Sequence, residues 1–63
     1  MNMKEEYAVD TYPNYNHLDT VLASTPKEAA RKAVDDVGEE QRSTYGLYVV
    51  HHMPTGDETR VEI

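Results

Sequence analysis

The pattern of this chain predicts an α+β domain of order β-β-α-β-β, a four-stranded, mostly antiparallel sheet with one helix packed on one face. Three observations predict it: a capped amphipathic segment near the middle of the chain, a pair of alternating segments before it, and a second pair joined by a turn after it. Hairpin strands are antiparallel, and one helix can cover only one side of a sheet. Two hairpins flanking one helix therefore most simply pair into a single sheet with its second face open. Strand order is left open by this reasoning. All 63 residues are read as one domain.

The first strand is expected from Glu5 to Tyr12, with Tyr7, Val9 and Thr11 on one side and Ala8, Asp10 and Tyr12 on the other. Pro13-Asn14-Tyr15-Asn16 supplies turn chemistry, and Leu18 to Ser24 returns as the second strand. Val21 and Ala23 share one side of it, Leu18, Thr20 and Leu22 the other. The helix is expected over residues 26 to 37. Thr25 stands as N-cap, Pro26 occupies the first helical position, where a missing N–H is harmless, and Glu28 completes a Thr-x-x-Glu capping box. Ala29, Ala30, Ala33, Val34 and Val37 fall within about 140° of arc, a narrow apolar face of small residues that lets the helix lie close on a sheet. Gly38 suits the left-handed residue that often ends a helix.

Thr44 to His52 is the most apolar run of the chain and forms the third expected strand. Leu47 and Val49 point one way and Tyr48 and Val50 the other, so apolar bulk lies on both faces, including the open one. Pro54-Thr55-Gly56-Asp57 turns the chain into a last strand carrying Thr59, Val61 and Ile63.

Length and composition narrow the classes of function. A chain this short buries only about 60% of the surface exposed by its unfolded form, so help from self-association would matter. The absence of cysteine removes disulfides, thiolate zinc sites and cysteine nucleophiles. No apolar run follows Lys4, and no window reaches the length of a membrane span, so the expected setting is cytoplasmic and the chain is expected to bind no membrane. Twelve acidic against six basic residues give a formal net charge of −6. Direct nucleic-acid binding is disfavoured, because phosphate contacts draw their affinity from clustered Lys and Arg.

Chemistry-bearing motifs are sparse. His17, His51 and His52 invite a metal site, but neighbours in a strand point to opposite faces, so His51 and His52 do not readily share an ion, and no metal or other cofactor is expected. Ser24 and Ser43 have no local base, and the glycines at 38, 46 and 56 are too isolated to form a phosphate loop. No catalytic residue is assigned, and a non-enzymatic role is expected.

Two features remain. The aromatic residues are tyrosines only, at positions 7, 12, 15, 45 and 48, and tyrosine offers large contact area while tolerating a wet edge. Tyr12, Tyr15 and Tyr48 are candidate partner-binding residues; in the competing arrangement, Tyr7 and Tyr45 pack under the helix and the other three cover sheet edges. Asp35, Asp36, Glu39 and Glu40 place carboxylates at the helix C-terminus, where the macrodipole is already negative. Lys32 can offset part of that cost through i,i+4 pairs with Glu28 and Asp36. The resulting expectation is a small interaction domain that binds protein, itself or another, through its open sheet face. The alternative is an acidic inhibitor that imitates nucleic-acid charge to block a nucleic-acid-binding protein.

Overall fold

The computed structural model describes residues 3–63, the side chain of Glu39 excepted. The expected order is observed: β1 (Glu5–Thr11), β2 (His17–Ala23), α1 (Pro26–Asp36), a short 3-10 turn (Glu39–Gln41), β3 (Leu47–His52) and β4 (Glu58–Glu62). The strands form one antiparallel sheet in the order β2-β1-β3-β4. The two hairpins thus join through β1 and β3, and the helical connection carries the chain from the β2 edge across β1 to β3.

Helix α1 forms where its start signals place it. Thr25 is extended, with φ −140° and ψ 157°, and its hydroxyl accepts the Glu28 N–H at 3.1 Å. The reciprocal half of the box is displaced by one residue, since Glu28 Oε2 accepts from the Ser24 N–H at 3.3 Å and not from Thr25. Ala29, Ala30, Ala33 and Val34 are buried against the sheet. They meet Tyr7 and Val9 of β1, Ala23 of β2, Tyr48 and Val50 of β3 and Val61 of β4 in one core. Three alanines on the contact face bring the helix axis close, so residues from all four strands reach it.

Three expectations are corrected. The helix does not end on a left-handed glycine: Val37 turns extended at φ −103° and ψ 156°, and the Gly38 carbonyl accepts the Gln41 N–H at 3.0 Å to start the 3-10 turn. The third strand begins at Leu47 and not at Thr44, because a turn at Thr44–Gly46 precedes it, with the Gly46 N–H bonded to the Ser43 carbonyl at 3.2 Å. Leu18 leaves the open side. A one-residue bulge sets Asp19 opposite Val9 but His17 opposite Asp10, which turns Leu18 onto the helix-side core and delivers His17 to the open face.

Gly46 is the glycine that the fold requires most strictly. Its φ is +68°, and a Cβ there would sit 2.7 Å from the Ile63 carbonyl oxygen. Gly56 shares its left-handed backbone, at φ +78°, but has open space around it. Gly38 has open space around it and ordinary φ. Gly46→Ala is expected to cost about 2 kcal/mol or more, the left-handed penalty plus the clash, whereas Gly38→Ala is expected to be neutral or stabilising by up to about 1 kcal/mol. Urea denaturation of the two variants checks this, with the shift appearing in the midpoint at unchanged slope.

Candidate functional site: the open sheet face

The face away from α1 is built from alternate residues of each strand. Ala8 and Asp10 of β1 lie on it, with Thr20 and Leu22 of β2, Leu47, Val49 and His51 of β3, and Glu58, Arg60 and Glu62 of β4. Val49 is fully buried although no helix covers it. It lies between Asp10 and Arg60 in the ladder, and the Arg60 guanidinium reaches across β3 to stack on the Tyr12 ring, 5.0 Å from its centroid. The side chains of this face enclose their own apolar residue.

Asp10 is the polar centre. Its Oδ1 lies 3.2 Å from His17 Nδ1 and its Oδ2 lies 3.0 Å from His51 Nε2, so one carboxylate is bracketed by two imidazoles from strands on either side. The bulge makes this possible, because regular pairing would have placed Leu18 opposite Asp10. The Asp10 side chain is only 17% exposed, and each contact becomes an ion pair when its histidine is protonated. His52, by contrast, lies on the helix side. Its ring stacks near Tyr7 at 5.0 Å, its Nδ1 meets Thr55 Oγ1 at 2.6 Å, and its Nε2 lies 3.1 Å from Glu5 Oε1 without the alignment of a hydrogen bond. Among the described residues, no group of three or more His, Asp or Glu side chains is arranged to hold a metal ion.

The candidate tyrosines separate. Tyr12 and Tyr15 come together at the rim, edge to face with centroids 6.0 Å apart. Tyr15 is half exposed and has φ +56°, a left-handed conformation unusual for a bulky residue; its N–H bonds the Thr11 carbonyl at 2.8 Å, which holds the turn in place. Tyr48 does not join them. It is 2% exposed and packs under the helix, so it presents no surface to a partner in this fold. Alternation places it on the core side, and its hydroxyl accepts the Ser43 N–H at 3.1 Å, while Ser43 Oγ donates to the Tyr12 carbonyl at 2.9 Å. Tyr45, expected under the helix in the competing arrangement, is instead 69% exposed.

Asp35, Asp36 and Glu40 are exposed near the end of α1, and the Glu39 side chain lies outside the described residues. Glu40 lines a cleft of about 580 Å³ together with Tyr12, His17 and Arg42, between the turn after β1 and the segment after α1. Asp35 and Asp36 line a separate shallow depression that also holds Lys4 and Lys32. Lys32 is 3.5 Å from Glu28 Oε1 and donates to the Leu22 carbonyl at 2.7 Å, so the expected pair with Asp36 does not form.

Comparison with protein families, with curated proteins and with solved structures gives no match for this chain. Among the described residues, no helix is long and apolar enough to cross a membrane.

The Asp10 bracket was missed from sequence. A carboxylate in the middle of an alternating strand, facing the same way as Ala8 and Tyr12, was the available signal, but its histidine partners depend on the bulge and on strand order. The role of Tyr48 separates two substitutions. Tyr48→Phe keeps the core and loses one hydrogen bond, costing about 1 kcal/mol. Tyr48→Ala is expected to cost about 3–5 kcal/mol, comparable with the whole stability of a domain this small, and to abolish the cooperative thermal transition.

Proposed function

We propose that this chain is a non-enzymatic interaction domain that binds protein, another chain or its own copy, through the open sheet face and the Tyr12–Tyr15 rim. The observation that carries the proposal is the Asp10 centre together with the rim. Asp10 is already paired with His17 and His51, and Arg60 is already seated on Tyr12, so the face is ordered before any partner arrives. Around this ordered centre, Leu22 and Tyr15 are 58% and 51% exposed, leaving apolar and aromatic surface at the margin. A left-handed tyrosine at the tip of a turn is a conformational cost that a binding contact would explain. A cytoplasmic setting goes with this reading and is supported by the absence of cysteine.

The acidic-inhibitor reading has less support. Lys4 and Lys32 share the depression lined by Asp35 and Asp36, so the acids there do not form the uninterrupted row that imitation of a phosphate backbone needs.

Photo-crosslinking residues placed singly at Tyr15, Leu22 and Arg31, in cells that express the protein, test the proposal. The expected result is discrete protein adducts from positions 15 and 22 and none from position 31, which is exposed on the helix away from the sheet. Equal labelling from all three positions, or none from the open face, would count against it.

A further inference from the structure

We propose that the outer edge of β4 pairs with the same edge of a second copy of this chain, extending the sheet across a two-fold axis. This concerns the edge of the sheet and its outward backbone groups; Arg60 and Glu62 project from the open face beside that edge, but the proposal does not depend on what the face binds. The sheet has two edges, and the structure treats them differently. On β2 two of the outward backbone groups are met by side chains of the same chain: Asp19 Oδ1 accepts the Thr20 N–H at 2.9 Å, and Lys32 Nζ donates to the Leu22 carbonyl at 2.7 Å. A lysine and a local side-chain cap are common ways of blocking an edge.

On β4 the ladder runs through the odd-numbered residues. His52 N–H bonds the Asp57 carbonyl at 2.7 Å and Ile63 N–H bonds the Gly46 carbonyl at 2.9 Å, while Tyr48 pairs with Val61 and Val50 with Thr59. Glu58, Arg60 and Glu62 therefore turn their backbone groups outward, and among the described residues nothing bonds to them. Beside this edge, Thr25, Pro26 and Lys27 stand off from Thr59–Glu62 and leave a groove of about 400 Å³, open to an added strand.

The sequence of β4 selects the occupant. Antiparallel self-pairing through this edge has three registers centred on interior residues of β4. Centring on Arg60 sets arginine against arginine and Glu58 against Glu62, so that every charged pair is repulsive. Centring on Thr59 pairs Glu58 with Arg60 but opposes Val61 to Asp57. Centring on Val61 pairs Arg60 of each copy with Glu62 of the other, sets Val61 against Val61 as a close non-hydrogen-bonded pair, and places Ile63, half exposed in one chain, against Thr59. In this last register charge and apolarity both match, and Arg60 and Glu62 exchange both backbone hydrogen bonds. In the dimer the Arg60 guanidinium exchanges the Tyr12 ring, on which it lies in the single chain, for the Glu62 carboxylate across the new edge. Both helices then lie on one side of the doubled sheet, and the open faces become continuous on the other.

Sedimentation equilibrium of the full chain and three variants decides the matter. Wild type is expected at twice the chain mass. Arg60→Glu and Glu62→Arg are each expected to raise the dimer dissociation constant by roughly tenfold or more, since two attractive cross-strand pairs become repulsive. The double variant Arg60→Glu/Glu62→Arg restores the pairs and with them the dimer, which the Thr59-centred register would not do. Slow amide exchange at Arg60 and Glu62 in wild type, lost in either single variant while circular dichroism is unchanged, would agree. A wild-type monomer at millimolar concentration, a dimer indifferent to both single changes, or a double variant that stays monomeric would overturn the proposal.

Discussion

A single helix of eleven residues has to cover a four-stranded sheet, and it can do so on one side only. The core depends on how closely that helix is seated. Ala29, Ala30 and Ala33 remove the side-chain spacer between helix and sheet, so that Tyr7, Val9, Tyr48, Val50 and Val61 all reach it. Bulkier residues at those positions would lift the helix and leave parts of the strands uncovered, a serious loss for a chain with so little core to spare. The capping of the helix serves the same end, since Thr25 and Glu28 fix where the helix begins and hence which face it turns down.

The uncovered face is stabilised by a different means. Where a larger protein would add a second layer, this one uses contacts between side chains of the face itself: two histidines on Asp10, and an arginine laid over Val49 onto Tyr12. Such contacts are individually modest at partly exposed positions. Their effect is to order a surface that carries both apolar and polar groups, and an ordered surface loses less entropy on binding. The bulge between Val9 and Asp10 links the two halves of the molecule, because the same backbone shift adds Leu18 to the core and His17 to the open face.

Much of the fold was legible in the sequence because its signals are local. The Thr25-Pro26 start of the helix, its alanine face, the alternation of β1 and the Pro54–Asp57 turn each act over a few residues, and each is found where it was expected. The end of the helix was less legible, since Gly38 permits a left-handed cap without requiring one, and the chain leaves through an extended Val37. For the site, alternation put Tyr12 on one side of β1 with Ala8 and Asp10, and the same rule put Tyr48 and Val50 on one side of β3. Which of the two sides of β3 the helix would cover was not a local property, and Tyr48 went to the core.

The sequence by itself determined the elements, their order, the acidic charge and the apolar character of both faces of β3, because these follow from capping, periodicity and composition. Only the tertiary structure decided that β1 lies beside β3, that His17 and His51 meet on Asp10, and that side chains cap part of the β2 edge and none of the β4 edge among the described residues. The physical reason is sequence separation. Asp10 and His51 are neighbours only through strand pairing, and His17 joins them only through a bulge that also packs the partly buried Leu18 against the core, an arrangement that no local window of residues contains.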